Sequence, residues 1–198
     1  MGLAMLVAGA AGMWFGREWI AAEIRPLRVD DRIAALSAPI LEAARESDLD
    51  PYLLAGLVYV ESSARIDVVS SAEALGLCQL QLATASDQAR RMGLDEPSRA
   101  RLLSDAEFNL RLGAGYLAWM LERQEGSEER ALMAYNTGPT RFARWLDEAG
   151  GYEAWRAEVD AEGPPGPGSV RTYAAKVLQQ ASRLREREVL GSFTSEQG

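Results

Sequence analysis

Glu61 stands where the pattern asks for an apolar residue. It follows Leu57 by four positions and Val58 by three, in a helical run that also carries Leu54, so the spacing predicts a carboxylate on the apolar face of a helix. In partly apolar surroundings a carboxylate is disfavoured as an anion and its pKa rises. It can then hold a proton near neutral pH and donate it to a leaving oxygen. The same spacing also fits a Glu61 that ends its helix, turns to solvent and pairs with Arg65. Asp67 and Glu73 are the candidates for a second acid–base group, but both fall in a polar stretch where solvent exposure is the expectation.

Composition narrows the chemistry further. The chain has 198 residues and no histidine, which excludes a Ser-His-Asp triad, a Cys-His pair and a histidine-bound zinc. The single cysteine, Cys78, can form neither an internal disulfide nor a multi-cysteine metal site, and without a histidine to activate it a small apolar core role is expected. What remains is acid–base work by carboxylates, hydroxyls, amides, Lys or Arg, with no metal or cofactor called for. A net charge of −8 argues against nucleic acid as a partner. With 47% apolar and 25% charged residues, one domain can bury a core without metals or disulfides.

The elements that must position Glu61 are all helical in pattern. From Asp31, residues Ile33, Leu36, Ile40, Leu41 and Ala44 share a side, with Pro39 marking a kink or a restart. Asp50-Pro51 reads as N-cap and first turn of the helix that carries Glu61. Residues 62–75 are irregular. A helix is predicted from near Leu77 to Met92, and another after Ser104-Asp105, carrying Phe108, Leu112, Tyr116, Leu117, Met120 and Leu121. Gly113 and Gly115 within it predict close packing rather than a break. A turn at Gly126, a short helix over 128–136 ended by Gly138-Pro139, and a further helix with Phe142, Trp145 and Leu146 follow. The stretch from Glu162 to Ser169 is a loop by composition, and a last helix puts Val170, Tyr173, Ala174, Val177, Leu178, Ala181 and Leu184 on one stripe. No strand pattern or internal repeat is present. The expected organisation is a tether at 21–30, an all-α domain at 31–187 and a disordered tail at 188–198.

Residues 1–20 carry no charge before Arg17 and Glu18 and are strongly apolar. They predict an uncleaved N-terminal membrane anchor helix, with Trp14 and Trp19 at the interface, ahead of a cleaved signal or a buried core helix.

From Asp50 to Tyr173 the order of motifs resembles the soluble lytic transglycosylase (SLT) domain, a lysozyme-like family related to goose-type lysozymes. Asp50-Pro51-Tyr52-Leu53-Leu54 with Glu61-Ser62 is similar to its first motif, whose Glu is catalytic. Gly76-Leu77-Cys78-Gln79-Leu80 with Thr84-Ala85 is similar to its Gly-Leu-Met-Gln motif. Asp105, Glu107, Asn109, Leu112-Gly113 and Tyr116-Leu117 match a structural helix. Ala134-Tyr135-Asn136 before Gly138-Pro139 resembles its Ala-Tyr-Asn motif, and Arg171 and Tyr173 its final Tyr motif. The resemblance implies a lysozyme-like helical fold that binds peptidoglycan glycan strands outside the cytoplasm, in the cell envelope. It implies cleavage of the β-1,4 bond between N-acetylmuramic acid and N-acetylglucosamine, with 1,6-anhydromuramoyl products and Glu61 as the one acid and base. A goose-lysozyme-type hydrolase and a non-catalytic wall-binding module of the same fold are the alternatives.

Within that frame the amides of Gln79 and Asn136 can hold N-acetyl or hydroxyl groups. Ser62 can bond the N-acetyl group or the catalytic carboxyl, or cap a helix end. Tyr135 and Tyr173 can stack on sugars or orient Glu61, and Gly76 lets the backbone approach the substrate. Cys78 stands where the family has Met, Gln81-Leu82 where it has Met-Pro, and Glu73 where a glycine is expected. Ala64 replaces a common aromatic. Ser169 stands where some members carry a second carboxylate.

Overall fold

The computed structural model describes residues 28–162 and 170–191. The apolar run at 1–20, residues 21–27, most of the Gly/Pro-rich stretch with Ser169, and the tail from 192 lie outside the described residues, and with them the N-terminal anchor expected from sequence. Among the described residues no helix is long and apolar enough to cross a membrane.

Helices α1 (Val29–Ala35) and α2 (Ser37–Glu46) meet at Leu36, so the chain restarts just ahead of Pro39 rather than kinking at it. The first helix begins at Val29, inside the stretch read as tether. Arg183 and Arg187 pair with Asp30 there and hold this end of the chain to the last helix. Helix α3 (Pro51–Ser62) starts as the Asp50-Pro51 pair predicts, with the Asp50 carboxylate accepting from the Tyr52 backbone N–H at 2.9 Å. Leu53, Leu54, Ala55, Leu57 and Val58 are all buried, so α3 is the central helix, apolar nearly all round until Glu61. Its end is abrupt because Ser63 and Ala64 both turn left-handed, at φ 54° and 57°.

Beyond it come α4 (Leu82–Met92), the short α5 (Arg99–Leu102), α6 (Ala106–Arg123), α7 (Glu128–Thr137), α8 (Pro139–Ala149), α9 (Tyr152–Glu162) and α10 (Val170–Glu186). Helix α10 lies along α3 and α7, and α6 packs between α2, α4 and α7. The described residues form an all-helical fold whose only β pairing is two isolated bridges, Val69 with Leu75 and Leu75 with Leu80.

Two elements differ from the sequence reading. The helix expected from Leu77 begins only at Leu82. Residues 75–80 instead cross over α6 as irregular chain, with Gly76 and Gln79 at φ 74° and 47°, which no helix accommodates. The apolar spacing of Leu75, Leu77, Cys78 and Leu80 reflects burial of a loop, all four being at most 2% exposed. Asn109, fully buried on α6, supplies the bonds that a helix would have made. Its Oδ1 accepts from the Cys78 N–H at 2.9 Å, and its Nδ2 donates to the carbonyls of Leu75 and Leu102 at 3.2 and 3.0 Å.

The second difference is α9, which lies in a stretch where no element was expected. Trp155 anchors it against Phe142 and Trp145, with ring centroids 5.8 and 6.3 Å apart. Past α10 the chain stays packed, Leu190 being 5% exposed, so order extends beyond residue 187.

Gly113 and Gly115 pack closely, as their positions predict. A methyl group at Gly113 would lie 2.3 Å from the Cys78 sulfur, and one at Gly115 2.6 Å from Gln88 Nε2.

Asn109→Ala strands the buried Cys78 N–H and the Leu102 carbonyl and leaves the Leu75 carbonyl with the Leu80 N–H as its donor, and is expected to cost about 3 kcal/mol. Urea denaturation measures it. A loss below about 1 kcal/mol would mean that the loop holds its path without Asn109.

Candidate active site

Glu61 comes to the surface of the core at the last turn of α3, where one wall is missing. The side chain is partly buried at the floor of a cleft of about 310 Å³. The walls come from residues 70–84 (Ser70, Ala74, Gln79, Thr84), from α6 (Tyr116) and from the end of α7 (Tyr135, Asn136, Gly138). Burial lifts the Glu61 pKa from 4.5 to about 7, and a hydrogen bond from the Tyr173 hydroxyl to Oε1 opposes that rise. The alternative in which Glu61 turns to solvent and pairs with Arg65 is not what the fold adopts. Arg65 bonds the Ser62 carbonyl through Nε at 3.4 Å.

Tyr173 reaches Glu61 because α10 lies unusually near α3. A methyl group at Gly56 would sit 2.7 Å from the Val177 carbonyl and 2.9 Å from the Ala181 N–H, so only glycine permits this approach. Val177 is one turn beyond Tyr173, and Gly56 lies just over one turn before Glu61. Burial and the adjoining Glu61 both push the Tyr173 pKa well up, so it stays a neutral donor.

Gln79 is held in place by its neighbours. Its backbone is left-handed at φ 47°, a costly conformation for this residue. The bonds of Asn109 to Leu75 and Cys78 precede it, and the Tyr135 hydroxyl donates to the Cys78 carbonyl at 2.8 Å. Its amide nitrogen is occupied by the Val68 and Gly76 carbonyls at 3.1 and 3.0 Å. The carbonyl oxygen is the end left to accept from a ligand in the cleft. Tyr135 is thus a strut of the loop as well as a cleft residue, packed against the Tyr116 ring at 5.1 Å.

The fold brings Glu61, Gln79, Tyr135 and Asn136 to one cleft and joins Tyr173 to Glu61. Two of the sequence candidates stand elsewhere. Ser62 is 3% exposed and donates to the Val58 carbonyl at 3.2 Å, one turn back, which directs its hydroxyl away from the cleft. At Gly76 a methyl group would strike Asn109 Nδ2 at 2.2 Å and the Leu102 carbonyl at 2.4 Å, so the close approach there is to the scaffold beneath. Sequence reasoning missed Tyr116, whose helical phase suited a core residue, and Gly56, which carries no signal outside its packing. Of the other carboxylates considered, Glu73 is exposed and pairs with Arg99 at 2.5 Å, and Asp67 is exposed. Glu61 is the one carboxylate lining this cleft among the described residues. Those residues also contain no cluster of acidic, Cys or His side chains able to hold a metal.

A family model described as the transglycosylase SLT domain matches residues 38–157, well over half of the chain. The chain belongs to the SLT transglycosylase family. The endo-type membrane-bound lytic murein transglycosylase A of Salmonella paratyphi B is 35% identical over 82 residues, 40% of each chain, and its Salmonella typhimurium counterpart matches equally. The chain therefore aligns with well under half the length of these relatives. Among solved structures, an inactive Glu-to-Gln mutant of the lytic transglycosylase Slt from Pseudomonas aeruginosa superposes with a TM-score of 0.65 at 25% identity, over 78% of this chain and 24% of that one. The 70 kDa soluble lytic transglycosylase of Escherichia coli gives 0.67 at 20% identity, over 92% and 31%. Its complex with bulgecin A gives 0.68 at 21%, over 95% and 32%. The last two share the fold with this SLT domain.

Two outcomes follow from the Glu61 environment. The folded state holds a proton that the unfolded chain releases between pH 4.5 and about 7, so Glu61 withdraws stability as pH rises through that window. Relative to wild type, Glu61→Gln is expected to gain up to about 3 kcal/mol between acid and mildly alkaline pH. Parallel urea titrations at both ends of the window test this, and identical pH slopes would refute a buried, elevated Glu61. Tyr173→Phe removes the bond that lowers the Glu61 pKa, so the alkaline limb of any Glu61-dependent activity is expected to move to higher pH. A pH–rate profile checks it.

Proposed function

We propose that this protein is a peptidoglycan lytic transglycosylase in which Glu61 alone serves as acid and then base. One observation carries the reading: a carboxylate with its pKa raised to about 7 lies at the floor of a cleft whose described lining includes no second carboxylate. A two-carboxylate glycosidase needs a partner across the scissile bond to act as nucleophile or to activate water. A single carboxylate poised near neutrality can do both halves of a reaction in which the substrate supplies its own nucleophile.

In the proposed reaction, protonated Glu61 donates to the oxygen bridging N-acetylmuramic acid and N-acetylglucosamine, and that bond to the muramoyl C1 breaks. The neighbouring acetamido group steadies the positive charge. The Glu61 carboxylate then takes the proton of the muramoyl 6-hydroxyl as its oxygen closes on C1, which restores the acid and leaves a 1,6-anhydro ring. No water enters, and the hydroxyl, held on the same sugar, has a high effective concentration. Tyr173 orients the carboxyl through Oε1. Gln79 through its free carbonyl oxygen, and Asn136 through its exposed amide, are the groups offered to the N-acetyl and hydroxyl substituents. Tyr116 and Tyr135 supply the aromatic wall.

Residues 1–20 support attachment at the cell envelope, with the catalytic domain outside the cytoplasm, in keeping with the membrane-bound description of the Salmonella relatives. Fractionation of the full chain and of a form lacking these residues tests it.

Glu61→Gln keeps the shape and the bond to Tyr173 but has no proton to give. Turnover of purified peptidoglycan is expected to fall by about 10³-fold or more. Digestion in heavy-oxygen water, followed by mass spectrometry, separates the chemistries. Unlabelled fragments lighter by one water support the transglycosylase, whereas label at new reducing ends would make the protein a hydrolase.

A further inference from the structure

A second cavity, of about 480 Å³, continues the cleft along α6. Its lining includes Trp119, Arg123, Pro139, Thr140, Arg144 and Asp147. Both walls run on from the first site. Tyr116 of the cleft stacks on Trp119 one turn further along α6, with ring centroids 5.9 Å apart and planes 25° from parallel, while Gly138 passes directly into Pro139. From Tyr116 to Arg123 the helix advances about 10 Å.

The chemistry changes along that path. The first cleft has no cation in its lining, whereas guanidinium groups gather around Trp119. Arg91, from α4, lies 3.7 Å over the ring and Arg123 5.0 Å from its centroid. The Arg91 charge also reaches the Tyr116 hydroxyl, where Asp87, itself paired with Arg90, acts in the opposite sense. Neither arginine forms an ion pair among the described residues, and both are exposed, while Arg144 leans toward Glu148 at 3.7 Å. A guanidinium lying on an aromatic face keeps its N–H edges free for a planar anion, and it is the side chain best shaped for a carboxylate. On a chain of net charge −8, two unpaired arginines beside the cleft form a local exception where an anionic substituent is attracted.

We propose that Arg91, Trp119 and Arg123 form a subsite for carboxylates of the peptide stem carried by the glycan strand, next to the sugar bound at Glu61. The inference rests on the peptidoglycan reading of the cleft and adds a preference for strands that keep their peptides. The stem is favoured over the sugar's own lactyl group because Arg123 sits about two helical turns along α6 from Tyr116 of the cleft wall, with Arg91 on the Trp119 ring between them.

The test is binding, read without turnover, in the full chain carrying Glu61→Gln. Dissociation constants are measured by calorimetry for soluble glycan fragments with intact peptides and for fragments stripped of them by an amidase. The comparison is made with and without Arg91→Gln/Arg123→Gln, and because both side chains are exposed the variant keeps the fold. Two exposed charge contacts predict a five- to tenfold weakening for peptide-bearing fragments, roughly as such pairs contribute, and no change for stripped strands. The preference should also fade at high salt. Unchanged affinity for peptide-bearing fragments, or an equal loss on both substrates, overturns the proposal. Failure of the wild-type chain to cut peptidoglycan would remove the catalytic reading, while the binding comparison would still decide this one.

Discussion

Between α3 and α10 there is no room for a methyl group at Gly56, and that close approach is what lets the Tyr173 hydroxyl reach the Glu61 carboxyl. A carboxylate on the packed face of a central helix would be costly if it were sealed in and unremarkable if it were fully wet. Here one oxygen is bonded inward to a neutral phenol, and the group also lines an open cleft. The result is an acid whose pKa lies near 7, between the values suited to a spectator and to a buried neutral group. The salt bridges of Asp30 with Arg183 and Arg187 hold α10 at its other end to the start of the described chain. They are partly exposed, so they set the register of α10 more than they add stability.

The opposite wall is positioned by polar atoms buried in an otherwise apolar layer. Asn109 and the Tyr135 hydroxyl satisfy backbone groups of a loop that has no ladder of its own, and Gln79 completes the turn with its own amide. Such a network is stable only when every member is paired, which ties the loop path to α6 and α7 together. Cys78 fits the same scheme. Its side chain fills the space facing Gly113, so its backbone can serve as the anchor while its thiol, pushed strongly up in pKa by burial, stays inert.

Much of this was legible in order and spacing. The Asp50-Pro51 start, the apolar stripe ending at Glu61, the helix start after Ser104-Asp105 and the Gly138-Pro139 break all rest on local rules, and each appears in the fold where those rules put it. The helix expected from Leu77 failed for a definite reason. A buried loop and a helix face can share the same apolar spacing, and the distinction lay in Asn109, more than 25 residues away, which replaces helical hydrogen bonds with its own. The aromatic residues of α9 likewise become an element only once Phe142 and Trp145 are beside them.

Residue types and periodicity were therefore enough for the helical class, the central helix and the position of the unusual carboxylate, because these depend on neighbours within a turn or two. Which candidates share the cleft depended on distances between segments up to 112 residues apart, as for Tyr173 and Glu61. Ser62 and Gly76 carry the same motif signal as Gln79, yet their partners lie beneath the cleft, with the Val58 carbonyl for one and Asn109 and Leu102 for the other. A motif specifies that a residue matters to the local backbone. Whether its polar atoms face substrate or scaffold is decided by where every other buried hydrogen bond must go, and that is a property of the packed molecule.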